Sequence, residues 1–112
     1  MGYRNVDLNY AKRCVGLGWH GLVDQFYKDM DALGVEYQVD QIKEKFGCLR
    51  IYITTTGVDF KTAYSIVQEV EEASSKICEN CGSPGTIRDD MSWILTLCDD
   101  CYQKVKYSKE ET

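Results

Sequence analysis

Gln41-Ile42-Lys43-Glu44-Lys45-Phe46-Gly47-Cys48-Leu49-Arg50-Ile51-Tyr52 is the stretch from which the fold is read. Two runs, about Val35–Glu44 and Leu49–Thr56, are rich in Val, Ile, Tyr and Thr, which suit a pleated, half-buried surface. Lys45-Phe46-Gly47-Cys48 between them reads as a hairpin turn with its glycine at the tip. With four residues in the turn, Glu44 faces Leu49, Lys43 faces Arg50, Ile42 faces Ile51 and Gln41 faces Tyr52. Strand side chains alternate between faces. Ile42, Leu49, Ile51 and Ile53 therefore point one way, and Gln41, Lys43, Arg50 and Tyr52 the other.

The segments on either side are helical. From Gly18, the residues Leu22, Val23, Phe26, Met30 and Leu33 recur at three- and four-residue steps, and Gly34 stands where a glycine ends a helix. A second helix is expected from about Asp59, a good N-cap, to Ile77, with Phe60, Ala63, Ile66, Val67, Val70, Ala73 and Ile77 as its apolar stripe. Helix, hairpin, helix gives an α+β fold: two helices packed on one face of a small antiparallel sheet, the other face open. Residues 1–17 show no period and are expected to be an irregular arm with at most a short strand. The expected division is an α+β domain over 1–77, a metal-binding unit over 78–105 packed on it, and a flexible tail over 106–112.

The unit begins at Cys78-Glu79-Asn80-Cys81-Gly82 and, with sixteen residues between Cys81 and Cys98, reaches Cys98-Asp99-Asp100-Cys101. A CxxC pair bends back so that two sulfurs meet one ion about 2.3 Å away, and two pairs complete a tetrahedron. Gly82 suits the tight knuckle turn. Thr86–Arg88 and Trp93–Leu97 read as a small hairpin turning at Asp89-Asp90, and the second pair opens a last helix. This resembles a treble-clef or zinc-ribbon arrangement with Cys78, Cys81, Cys98 and Cys101 as ligands of a structural Zn²⁺. Two disulfides would need an oxidising compartment, and the first twenty residues lack the apolar run of an export signal. A redox CxxC belongs in a βαβ context that is missing here. Catalytic zinc keeps an open position that four thiolates do not leave. Cys14 and Cys48 remain as free cysteines.

Composition bounds the function. The 112 residues are 44% hydrophobic and 28% charged, as in a globular protein, and no apolar run approaches the length of a membrane span. The expectation is a cytoplasmic protein with no membrane partner. Residues 1–58 balance seven Lys/Arg with seven Asp/Glu, so the net charge of −5 lies entirely in the second half. Four thiolates and one Zn²⁺ take it to about −7. Double-stranded DNA, which is bound by neutralising phosphates, is disfavoured.

Lys43 opposite Arg50 is a like-charge pair that destabilises a sheet unless something negative compensates. Glu44, Asp40 or an acid of the second half could do so. The sharper reading is a small-anion site: Arg50 as a bidentate phosphate ligand, Lys43 or Lys45 as point charges, Tyr52 or Phe46 as a stacking surface. Trp19 is carried in the same ligand set, although it is also the residue expected to close over the core. Its neighbourhood, Gly16-Leu17-Gly18-Trp19-His20-Gly21, spells GxGxxG. The preceding residues are polar and the next strands form a hairpin, so a dinucleotide fold is rejected. The glycines are read as letting the chain turn tightly into the helix. His20 is the only histidine and has no obvious catalytic neighbour, and no hydrolase or transferase motif is present.

These residues resemble a group of small proteins encoded by bacteriophages and bacteria. They share a Gly-Trp start to the first helix (Gly18-Trp19), a Gln-(Ile/Val)-Lys-Glu-Lys-Phe-Gly-x-Leu-Arg-x-Tyr hairpin (Gln41 through Tyr52), and a Cys-x-x-Cys-Gly…Trp…Thr-Leu-Cys segment (Cys78 through Cys101, with Trp93 and Thr96-Leu97). The last ligand of that group is often His where this chain has Cys101. The resemblance implies zinc and a phage or prophage origin, and it implies no activity. Function is thus expected to be non-enzymatic capture of a small anionic, nucleotide-like ligand, one option being a signal of bacterial defence. The alternatives are an inhibitor or adaptor whose acidic half contacts a host protein, and a nucleic-acid-binding accessory protein. A homo-oligomer is left open.

Overall fold

A computed structural model describes residues 6–55 and 60–110, with the backbone alone for 108–110. Its hairpin is made by a two-residue turn. Phe46 (φ 55°) and Gly47 (φ 79°) are both left-handed, the conformation whose twist matches the flanking strands. This turn joins β1 (Tyr37–Lys45) to β2 (Cys48–Thr55) in the expected register: Glu44 pairs with Leu49, Lys43 with Arg50, Ile42 with Ile51 and Gln41 with Tyr52. A bulge at Asp40 shifts the register so that Val39 pairs with Ile53. The extra residue is used, because the Asp40 carboxylate accepts from Gln38 Nε2 (2.8 Å) and Thr54 Oγ1 (2.6 Å).

The buried face of the hairpin carries Val39, Ile42, Leu49, Ile51 and Ile53. Against it pack Trp19 from the turn before the first long helix, Val23, Phe26 and Met30 from that helix, and Ala63, Val67 and Val70 from the second. The first, α2 (His20–Leu33), follows a 3-10 turn (Leu17–Trp19) and ends at Gly34 with φ 77°. The second, α3 (Phe60–Ser74), ends three residues before the expected Ile77, which instead forms a β-bridge with Pro84, and keeps the rest of the expected stripe with two changes. Phe60, in phase but at the helix end, stays half exposed, and Ser74 rather than Ala73 is buried. The Asp59 cap and Thr56 lie outside the described residues.

α3 does more than cover a face. Ser74 Oγ accepts from Leu49 N–H (2.8 Å) and Glu71 Oε2 from Ile51 N–H (2.9 Å), while Tyr64 donates to Ile53 O (3.4 Å). These are groups of β2 that β1 does not pair, so the helix stands in for a third strand and removes an open edge.

The arm expected to be irregular contains α1 (Leu8–Arg13), capped by Asp7, whose carboxylate accepts from Tyr10 N–H (2.8 Å). Fewer than two turns give a hydrophobic period no room to show. Val6 N–H donates to Val39 O (2.8 Å), Ala11 is fully buried, and Lys12 pairs with Asp24 (2.8 Å), tying the arm to β1 and α2.

After α3 come β3 (Thr86–Arg88) and β4 (Leu95–Leu97), paired antiparallel, and α4 (Asp99–Glu110). Their order, knuckle then hairpin then helix, is the one read from the cysteine spacing. The tail expected from residue 106 is helical as far as Glu110. Gln103, Lys104, Lys106 and Lys109 are good helix formers but leave no apolar stripe to mark them. The molecule is elongated, with a radius of gyration of 15.4 Å against about 13 Å for a compact chain of this length. Among the described residues no helix is long and apolar enough to cross a membrane.

Candidate metal centre

The cysteine unit starts as soon as α3 ends. Ile77 bridges to Pro84, Cys78 N–H donates to Ser83 O (2.7 Å), and Gly82 N–H donates back to Cys78 O (2.9 Å) with φ 87° at Gly82. This reversal turns the sulfurs of Cys78 and Cys81 to one side. Cys98 stands immediately before α4 and accepts from Cys101 N–H (3.4 Å), so the first turn of that helix delivers the second pair. All four sulfurs lie within 4.8 Å of one another, Cys81 and Cys98 at 3.6 Å. Two sulfurs bound to one tetrahedral ion at 2.3 Å sit roughly 3.8 Å apart. Two disulfides would require only pairwise approach. Convergence of all four on one point fits a single ion.

The surroundings suit a charged cluster. Cys78 and Cys101 are buried, and Asn80 Nδ2 donates to Cys101 Sγ (3.2 Å). Hydrogen bonds from the Ser83 side chain and backbone, then from Cys98 and Cys78, hold Cys81 down at about 6. At Cys101 the Asn80 amide lowers the pKa, but burial and the other three thiols carry it up to about 12. Without an ion Cys101 thus holds its proton more firmly than Cys81, and an ion replaces thiol protons on binding.

The unit is fastened to the body along a seam of backbone. Gly18 N–H donates to Glu79 O (2.9 Å) and Trp19 Nε1–H to Ile77 O (2.9 Å). A Cβ on Gly16 would lie 2.2 Å from Glu79 O, and one on Gly18 would lie 2.0 Å from Cys78 O. Two glycines of the GxGxxG string are therefore there to let the cysteine knuckle approach, not to cradle a phosphate. Gly21 has open space around it. A second fastening joins the hairpin tip to β4: Thr96, fully buried, donates its hydroxyl to Gly47 O (2.6 Å), and Glu79 grips the backbone of Thr96 through its own N–H (3.0 Å) and its carboxylate (2.9 Å). Arg88 locks β3 to α4, donating to Leu97 O (3.1 Å) and Asp99 (2.7 Å) with its guanidinium 4.4 Å from the Tyr102 ring.

The structure divides the expected ligand residues into three groups. Lys43, Arg50 and Tyr52 lie on the face away from the core, with Lys43 Nζ 5.9 Å from the Tyr52 ring. Arg50 is compensated by Glu71 (3.7 Å), an acid of the second half, rather than by Glu44 or Asp40. Lys45 and Phe46 are at the tip, Nζ 5.6 Å from the ring, beside a groove of about 410 Å³ that also takes in Glu44, Ser92, Trp93 and Ile94. Trp19 is 0% exposed and offers a ligand no surface, which removes it from the set and leaves its core role. Trp93, read as part of the small hairpin and of the shared cysteine segment but not as a ligand residue, also lines the tip groove. His20 is half-buried at the first residue of α2. Cys14 lines a groove with Tyr10 and Tyr52, and Cys48 lines one with Arg50 and Glu71.

No protein-family model, no curated protein and no solved structure matches this chain.

Proposed function

We propose that this protein is a non-enzymatic binding module, stapled by one structural zinc ion, that captures a small anionic, nucleotide-like ligand on its hairpin. The observation that carries the reading is a repeated motif: two hairpin ammoniums, Lys43 and Lys45, each lie over an aromatic ring, Tyr52 and Phe46. Among the described residues neither lysine makes an ion pair, whereas Arg50 does. A cation resting on an exposed ring presents charge and a stacking surface together, the combination that a nucleotide uses. Zinc is the ion favoured by four thiolates in tetrahedral convergence, and such a site is closed to substrate. Kinship with phage-encoded proteins would make the ligand a host defence signal, held rather than broken down.

The competing view, an acidic surface for a host protein, draws less support. Asp90 accepts from Tyr102 and lies 3.7 Å from Lys106, and Asp99 is held by Arg88, so two acids of the zinc unit are occupied within it.

Thermal-shift measurements on zinc-loaded protein against mono- and cyclic nucleotides test the proposal. Stabilisation is expected from at least one, and it should be lost in Lys43→Ala, Lys45→Ala or Arg50→Ala variants that keep their fold. If no nucleotide stabilises the protein, the capture reading fails. Metal analysis of freshly purified material is expected to give one zinc per chain.

A further inference from the structure

Phe46 is badly placed for folding on two counts. It occupies a left-handed turn position, where Asn, Asp or Gly is favoured and a bulky side chain is strained. It also leaves 66% of its surface in solvent. Neither backbone conformation nor burial accounts for an aromatic residue there, and strain held at an exposed position is a mark of function. Across the groove stands Trp93, 55% exposed and on a different structural unit. Trp and Phe facing one cavity from two units is an arrangement for receiving something flat.

From this we infer that the groove between Phe46 and Trp93 takes the base of a nucleoside monophosphate, with the Lys45 ammonium meeting its phosphate. The inference rests on the anion-capture reading and places the ligand at the tip rather than on the open face of the hairpin. The groove, about 410 Å³, falls within the range of small-molecule sites, roughly 300–1,000 Å³. Charge restricts the ligand class. Glu44 lines the same groove, its carboxylate accepting from Gly47 N–H (2.7 Å), so one carboxylate stands against one ammonium. A polyphosphate or nucleic-acid backbone gains nothing from such a balance, while a single phosphate can use the lysine and leave stacking to supply affinity.

The site is also split between the two units. Glu44, Lys45 and Phe46 come from the hairpin, and Ser92, Trp93 and Ile94 from the connection between β3 and β4. The two units meet next to it, where Thr96 bonds Gly47 O and the missing Cβ of Gly47 lets Ile94 and Leu95 approach to 3.2 Å of its position. The ring site therefore exists only while the metal unit is docked, and it should disappear with the metal.

The experiment is a calorimetric titration of zinc-loaded protein with AMP, GMP, CMP, UMP, adenosine and inorganic phosphate, repeated after chelation. At least one monophosphate is expected to bind, with phosphate alone, and adenosine against AMP, about tenfold weaker or worse. Trp93→Ala and Phe46→Ala, checked for zinc content and thermal midpoint, should each weaken it by roughly tenfold to a hundredfold, and Trp93→Phe should restore most of the loss. Chelation should abolish it. Monophosphate binding that survives both aromatic truncations but is lost in Lys43→Ala and Arg50→Ala would overturn the groove assignment and leave anion capture standing. Binding that persists after chelation overturns the dependence on the docked unit. No binding by any probe overturns the groove and counts against the capture reading as well.

Discussion

The helix–hairpin body and the cysteine unit are held together by different means. The body buries a contiguous apolar core, from Trp19 and Phe26 through Leu49 and Ile51 to Val67 and Val70. The unit has little to bury: Cys78, Leu97 and Cys101, with Met91, Leu95, Tyr102 and Val105 partly covered. A body of this kind is stabilised by area removed from water. The unit has little such area, and it offers instead four converging sulfurs that could hold an ion and a backbone seam with its neighbour. The two should respond differently to the same insult.

Metal removal should separate them most sharply. Structural zinc in small domains contributes on the order of 10 kcal/mol to folding. Chelation, or Cys78→Ser at the fully buried ligand, is expected to unfold β3, β4 and the start of α4 while α2, α3 and the β1–β2 hairpin persist. Amide hydrogen exchange resolved along the chain measures this directly. Equal loss of protection in both parts would show one cooperative unit and remove the distinction.

The seam comes next, and here the GxGxxG string makes a prediction with two signs. Gly18→Ala places a methyl 2.0 Å from Cys78 O and 2.6 Å from Gly82 N, both backbone atoms that cannot swing aside. It should cost about 3 kcal/mol or more and weaken zinc retention, because the knuckle must move. Gly21→Ala meets nothing within 4 Å in the first turn of α2 and should stabilise by about 0.5–1 kcal/mol. Denaturant titration of the two variants decides the point. If both destabilise alike, the glycines serve something other than this contact.

That string also shows where sequence reading ends. Its glycines were expected to help the chain turn. Their actual partners, Cys78 and Glu79, are some sixty residues away and leave no local trace. What was legible had a short period or a fixed spacing: the hairpin register, because a one-residue slip would turn Leu49 and Ile51 outward, and the four sulfurs, because CxxC geometry is local. The Asp40 bulge, six-residue α1 and the helical tail lacked such a signal. Trp93 was visible as a residue and not as a wall, since a groove between two units belongs to their docking.

A smaller effect is expected at that docking contact. Thr96→Val keeps shape but removes the donor to Gly47 O, leaving a buried carbonyl unpaired at about 1–3 kcal/mol. Because the bond joins hairpin to unit, the loss should appear as poorer coupling, with the unit melting earlier than the body. A uniform shift of both transitions would place the strength of the contact elsewhere.

The smallest effect, that of Glu71→Gln, tests the body's own exception to apolar packing. Glu71 has two jobs on separate oxygens: Oε2 accepts from Ile51 N–H at 2.9 Å, and Oε1 lies 3.7 Å from the Arg50 guanidinium. Glu71→Gln keeps an acceptor for the strand and removes the charge. Arg50 is 40% exposed, so the ion pair is screened and worth at most about 0.5–1 kcal/mol. Glu71→Ala additionally strands the Ile51 N–H and should cost about 1–3 kcal/mol more. If the edge bond is what matters, the two variants differ clearly and salt hardly changes the glutamine one. If they fall equally, the Lys43–Arg50 pair needs that negative charge more than β2 needs its surrogate strand. The open face of the hairpin would then be held by electrostatics rather than by backbone pairing.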